Sequence, residues 1–187
     1  MARSNKNVVM HKASGIIGDL LLFRQRYGKT FMGKIPERSG VLSDKQKAVR
    51  EKFVKAALYA KKALADPEIS VLYDLRAGGG ITAFNLALAD YFKAPFFGEA
   101  ITTGYDGTPG SKIDLAVTDD TKVTSVEVTI TAVDGSLVEK GIAVQQEDGP
   151  QWIYTATVAN AVVAGSKISV VAKDIPGNKA FMEITLS

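Results

Sequence analysis

Residues 123–135 read Val123-Thr-Ser-Val-Glu-Val-Thr-Ile-Thr-Ala-Val-Asp-Gly135. Val126, Val128 and Ile130 fall on one side of an extended chain, with Glu127 and Thr129 on the other. A period of two is the signature of a half-buried strand. Asp134-Gly135 directly behind it is a hairpin-turn signal. Residues 113–118 alternate in the same way. Further strands are expected at 138–145, 151–158, 167–173 and 180–186, separated by Gly, Asp and Pro turns. From Ile101 onward the chain therefore reads as an antiparallel β-sandwich, with Trp152, the sole tryptophan, as a core anchor beside Ile153 and Tyr154.

Composition sets the frame around this sandwich. Hydrophobic residues are 46% and charged residues 23% of the 187 residues, which is ordinary globular usage and argues against a fibrous repeat or a disordered tail. The longest apolar runs, such as residues 20–23, are too short to cross a bilayer. The first seven residues, Met1-Ala-Arg-Ser-Asn-Lys-Asn7, are followed by no apolar h-region, so no secretory signal peptide is expected. Cysteine is absent and His11 is the single histidine. That removes disulfides, thiol nucleophiles and Cys-based metal sites, and leaves almost no material for a multi-His metal centre or a His-containing triad. His11 lies in a polar stretch and reads as a surface residue.

The net charge of +3 hides two opposite halves. Residues 1–97 hold 17 Lys and Arg against 8 Asp and Glu, and residues 98–187 hold 6 Lys against 12 acids. The break falls at residues 95–98, where helical patterns give way to strands, and it predicts a domain boundary there: a basic assembly region over 1–97 and an acidic sandwich over 98–187. Oppositely charged halves favour head-to-tail association of copies. Nucleic-acid binding by the basic half would fall on the helix bearing Lys45 to Lys62 and weaken steeply with salt. No aromatic and basic residues alternate along the chain in the single-strand-binding manner, and nucleic acid is not the expected partner.

In the first half, residues 14–36 are expected to form a β-hairpin: a strand over 16–26, a turn at Tyr27-Gly28-Lys29 and a return strand over 30–35, ended by Pro36, which cannot donate to a ladder. Gly28-Lys29-Thr30 echoes the end of a phosphate-binding loop, but the motif needs a glycine at position 23, where Phe23 stands. Residues 43–64 form the clearest helix. Ser43 and Gln46 make a capping box, and Val49, Phe53, Ala56, Ala57, Ala60 and Leu64 recur on one face. Asp66-Pro67 stops it. A short helix over 68–77 and another over 82–93 follow, joined by Gly78-Gly79-Gly80 as a flexible loop. Alanines 56, 57, 60, 83, 87 and 89 permit close approach of the helices. A lone hairpin is marginal in water and leaves open edges. Either the helices pack on it or another copy pairs with it, and for the second Val8, Val9, Met10, Phe23, Arg24, Arg26 and Phe31 are the self-association candidates.

Strand spacing near ten residues over about 85–90 residues suits an immunoglobulin-like sandwich. Gly-Ser-Lys-Ile-Asp-Leu-Ala-Val-Thr-Asp-Asp (110–120), Val-Thr-Ser-Val-Glu-Val-Thr-Ile (123–130), Gln-Trp-Ile-Tyr-Thr-Ala (151–156) and Ala-Lys-Asp-Ile-Pro-Gly-Asn-Lys-Ala (172–180) resemble bacterial Ig-like domains. The Asp-x-Pro-Gly-Asn turn before the last strand is the most specific piece. The first half is similar to uncharacterised Bacteroidetes-type proteins. The Ig-like resemblance implies a fold and a habit of binding or building, and no chemistry.

The expectation that follows is a non-enzymatic structural protein that self-associates into a filament, tube or phage-like particle, with an α+β region of hairpin and helices ahead of an immunoglobulin-like sandwich that is displayed or touches the next copy. The alternative is an adhesin or carbohydrate-binding module that uses exposed Tyr105, Trp152 and Tyr154 as a ligand platform. No catalytic or cofactor-binding residues are singled out, since no particular pair of carboxylates is marked for glycoside hydrolysis. Asp119, Asp120, Asp134, Asp148 and Asp174 sit in expected turns, where calcium takes oxygen ligands and where Asp is in any case a preferred turn residue.

Overall fold

A strand hydrogen-bonds on both sides only inside a sheet, and the computed structural model supplies three antiparallel sheets for the strands that the alternation marks. It describes residues 2–4, 13–18, 20–26, 28–35, 40–147 and 149–187. The chain divides into two units, Met1–Lys52 and Phe53–Ser187.

The first unit holds strands β1 (Ala2–Ser4), β2 (Gly15–Ile17), β3 (Leu21–Arg26) and β4 (Lys29–Lys34), in the sheet order β1-β4-β3-β2. The hairpin is β3–β4, with Arg26 opposite Lys29. Gly28, in its turn, has φ of +69°, a conformation open to glycine and costly for other residues. The strand expected over 16–26 is instead two strands folded on each other, so that Ile16 faces Leu22 and Ile17 faces Leu21. Glycine at position 18 breaks the run, a punctuation that a long apolar alternation conceals. Pro36 and the segment of Val8, Val9 and Met10 lie outside the described residues, as do His11, Tyr27 and Asp148.

Helix α1 (Asp44–Ala65) begins as its capping box dictates. Gln46 N–H donates to Ser43 Oγ at 3.3 Å, and Ser43 N–H donates to Gln46 Oε1 at 2.9 Å. The division between the units falls within this helix. Its buried stripe is Ala56, Ala60 and Ala63, at helical spacing. Val49 and Phe53, expected on the buried face, are exposed, and burial along α1 begins only at Ala56. Helix α2 (Pro67–Asp74) is capped by Asp66, whose carboxylate accepts from Glu68 N–H and Ile69 N–H, with Pro67 in the first turn. Helix α3 (Ala83–Asp90) is capped by Thr82 and ends earlier than the expected residue 93. Gly78 and Ile81 exchange backbone hydrogen bonds of 3.1 and 2.9 Å. The three glycines therefore form a closed turn rather than a flexible loop.

The remaining strands form a β-sandwich. One sheet has the order β5 (Phe96–Ile101), β6 (Lys112–Thr118), β10 (Gln151–Thr155), β9 (Val144–Gln145). The other has the order β12 (Lys179–Thr185), β11 (Lys167–Asp174), β7 (Val123–Thr131), β8 (Leu137–Ile142). Alternate residues of both sheets meet in one core: Ile113 and Leu115, Val126, Val128 and Ile130, Trp152 and Tyr154, Ile168 and Val170. Each such side chain contributes roughly 1.5–3 kcal/mol by leaving water. The strand expected over 138–145 divides at buried Ala143: β8 pairs with β7, and β9 crosses to pair with β10. The sandwich also starts at Phe96 rather than Ile101, because an irregularity between Phe97 and Ala100 interrupts the alternation of β5. The charge break near Pro95 thus marks the start of the sandwich. The edge of the compact unit lies elsewhere, since α2, α3 and the C-terminal part of α1 belong with the sandwich.

A buried polar chain joins these helices to the strands. Tyr59 and Tyr73 share a hydrogen bond of 2.8 Å, and Tyr73 O–H donates to Asp90 Oδ2 at 2.7 Å. Thr121 Oγ1 donates to Asp90 Oδ1 at 3.0 Å. Asn178 Nδ2 donates to the carbonyls of Asp90 (3.1 Å) and Lys93 (2.5 Å) and to Asp174 Oδ2 at 2.7 Å. Asp174 Oδ1 in turn accepts from the N–H groups of Gly177 and Asn178. The Asp-Ile-Pro-Gly-Asn turn is therefore a staple between the last hairpin and the end of α3. Lys93 and Asp120 form an exposed ion pair nearby.

Burial raises the Asp90 carboxyl above the usual carboxylate range, against the hydrogen bonds from Tyr73 and Thr121, and the charges of Asp119 and Asp174 push the same way as burial. Asp174 is likewise raised by burial. Tyr59 is pushed up to about 12 by burial. A carboxyl held above its unfolded value binds its proton more tightly in the fold. Its contribution is then complete below the unfolded value and is lost as pH rises through the folded one. Two outcomes are expected. Tyr73→Phe strands Asp90 Oδ2 and lowers unfolding free energy by about 2 kcal/mol, read from urea midpoints; a loss below measurement error would remove the chain from its structural role. For Asp90→Asn, the stability of the native chain relative to the variant falls from acid toward neutral pH. Parallel curves, or the opposite slope, would contradict the raised carboxyl.

Candidate functional site

The hairpin of the first unit sets cationic, aliphatic and aromatic side chains side by side. Cross-strand partners place their side chains on one face. The register sets Leu22 opposite Gly33, Arg24 opposite Phe31 and Arg26 opposite Lys29. These six share a face. The other face carries Leu21 opposite Lys34, Phe23 opposite Met32 and Gln25 opposite Thr30. There Phe23 and Thr30 are buried, and Gln25 Nε2 donates to Thr30 Oγ1 at 3.0 Å. The four self-association candidates on described residues are thus split. Arg24, Arg26 and Phe31 lie together, and Phe23 lies behind them as the anchor of the sheet. Val8, Val9 and Met10 lie outside the described residues.

Leu22, Arg24, Arg26, Phe31 and Lys34 line a groove of about 310 Å³. That is the small end of the range for ligand sites, about 300–1,000 Å³. Strands β3 and β4 carry Arg24, Arg26, Lys29 and Lys34 and no Asp or Glu. Such a surface offers hydrogen-bond donors with fixed charge and one aromatic ring. It can hold an anion or a π-face, and it brings together no nucleophile with a base. Leu22 and Lys34 were not singled out by sequence reasoning. Pairing the two strands across the Gly28 turn is the signal that finds Leu22, whereas it sets Lys34 on the opposite face.

The aromatic platform of the binding-module reading requires a correction. Tyr105, Trp152 and Tyr154 are 5%, 5% and 4% exposed. They point into the sandwich because they fall on the inward parity of their strands or under the loop that follows β5, so they present no exposed ligand surface. The Trp152 indole nitrogen is buried without a hydrogen-bond partner among the described residues. Burial raises the Tyr154 hydroxyl, and neighbouring Glu139 adds to the effect. Glu139 itself is buried and accepts from Thr157 N–H and Oγ1 at 2.9 Å each.

The acidic turns spend oxygens on their own backbone. Asp134 Oδ1 accepts from Ser136 N–H and Oγ, and Asp119 Oδ2 from the N–H groups of Thr121 and Lys122. Asp120 pairs with Lys93. Among the described residues no group of three or more His, Asp or Glu is arranged to hold a metal ion. A wider open depression of about 690 Å³ lies beside the buried tyrosine chain, between residues 59–69 and Ile175–Pro176, and its walls are largely apolar. Among the described residues no helix is long and apolar enough to cross a membrane.

No protein-family model matches the chain, and no curated protein matches it. Among solved structures, the crystal structure of CopC from Methylosinus trichosporium OB3b is similar over 48% of this chain and 87% of that one, at 18% identity and a TM-score of 0.36.

The two faces of the first sheet separate cleanly by mutation. Phe23→Ala removes the buried ring, at a cost of about 3–5 kcal/mol, and abolishes amide-exchange protection in β3 and β4. Arg24→Gln with Arg26→Gln, on the exposed face, leaves that protection within about 0.5 kcal/mol of native. Equal effects would refute the assignment of faces.

Proposed function

We propose that the chain is a non-enzymatic structural protein that self-associates into a filament, tube or particle, with its sandwich, read as immunoglobulin-like, displayed on or between the copies. The observation that carries this is the edge of the first sheet. β2 pairs only with β3 among the described residues, so one of its sides offers free backbone donors and acceptors. Around it Ile16, Ile17 and Leu20 are 61%, 63% and 71% exposed. An apolar, unprotected edge strand is a template for another strand, and clustered exposed aliphatics mark an interaction surface. Among the described residues of 13–35 only Phe23 and Thr30 are buried, which is a thin core for a four-stranded sheet and supports a covering layer from a second copy. The opposite charge of the first unit and the sandwich supports the same reading. Residues 1–52 hold 12 Lys and Arg against 4 acids, and residues 53–187 hold 11 against 16.

Light scattering and electron microscopy of the purified full-length chain test this. Regular species far above the protomer mass of 19.9 kDa are expected. Ile16→Lys with Ile17→Lys should return them to the protomer, since charges on an edge strand oppose pairing. A native chain that stays at the protomer mass at every concentration would end the proposal.

A further inference from the structure

We infer that the exposed face of the first sheet binds single-stranded nucleic acid, with phosphates held by Arg24, Arg26 and Lys29 and a base stacked on Phe31. This surface adjoins the apolar edge that carries the assembly reading, since Ile16 lies opposite Leu22 on the same face, but it uses other residues, and the two readings are tested separately.

Three observations converge. First, the register places Arg24 directly opposite Phe31 and Arg26 opposite Lys29, so that cations border the ring on a single pleated face. The two residue types do not alternate along the sequence; they alternate across the hairpin. Second, a groove of about 310 Å³ brings Arg24 and Arg26 of this face together with Leu22 and Phe31. A base needs an apolar floor and a phosphate needs cationic walls, and single-strand-binding surfaces combine the two. Third, strands β3 and β4 lack Asp and Glu, and the unit around them holds 12 Lys and Arg against 4 acids. A field of one sign concentrates a polyanion at the surface. Arginine adds planar donors that pair bidentately with phosphate oxygens. A duplex would present phosphates without an unstacked base for Phe31, so the single strand is the matching form.

The test is fluorescence anisotropy of a labelled oligothymidylate, with a labelled duplex of equal length alongside, titrated with the full-length chain at about 50 and about 200 mM salt. The expected result is salt-sensitive binding that favours the single strand. Arg24→Gln with Arg26→Gln should weaken it roughly tenfold or more at the lower salt and shallow the salt slope by about 1.4, at about 0.7 per lost phosphate contact. Phe31→Leu should weaken it roughly tenfold with the salt slope unchanged, since a stacking contact releases no counterions. Native light scattering of the arginine variant shows that assembly survives. No binding by the native chain at the lower salt overturns the inference. So does equal affinity for duplex, which would make the lysines of α1 the binding surface. Loss of assembly in the arginine variant overturns it too, because the face would then be a contact between copies.

Discussion

The hydrogen bond from Tyr73 to Asp90 is the constraint around which the larger unit is arranged. A carboxyl group taken out of water is costly unless its oxygens are engaged. Asp90 meets that demand with donors from two directions, Tyr73 on the helical side and Thr121 on the sandwich side. The helices and the strands are therefore held in one relation by a polar requirement that apolar packing alone would leave loose. Alanines 60, 63 and 87 let the helices come close enough for the tyrosine chain to reach. Asn178 then closes the arrangement from the turn between β11 and β12 by donating to the carbonyls of Asp90 and Lys93.

Much of the sandwich was legible in the alternation of its strands, because a core between two sheets demands inward residues at a period of two. Val126, Val128 and Ile130 are buried as their parity requires. The failures have local causes. The bulge in β5 hid the first strand, and the crossing at Ala143 looked like one continuous strand because both of its parts alternate. The end of α1 was readable from Ser43, Gln46 and Asp66, since caps are local chemistry. Which stretch of α1 is buried was not readable, because that depends on where α2 and α3 lie. The buried chain of Tyr59, Tyr73, Asp90 and Asn178 spans more than a hundred residues, and no local pattern announces it.

The candidate site shows the same division between local and assembled information. Arg24, Arg26 and Phe31 were visible as residues, and their common face became visible only with the register of β3 on β4. Phe23 sits one position from Arg24 and belongs to the opposite side. One residue of slip would exchange the two faces. The turn at Gly28 therefore decides which side chains meet a partner and which meet the interior.

The staple at Asn178 also imposes an order on synthesis. Its partners at Asp90 and Lys93 precede it by 88 and 85 residues. A ribosome delivers the helices long before the hairpin of β11 and β12. Through that interval the carbonyls of Asp90 and Lys93 lack the Asn178 donor, and Thr121 arrives well ahead of it. Domains tend to settle from the N-terminus as they emerge, but this one has its locking group in the final strand pair. A chain stopped short of residue 178 would lack the side chain that ties the last hairpin to the end of α3.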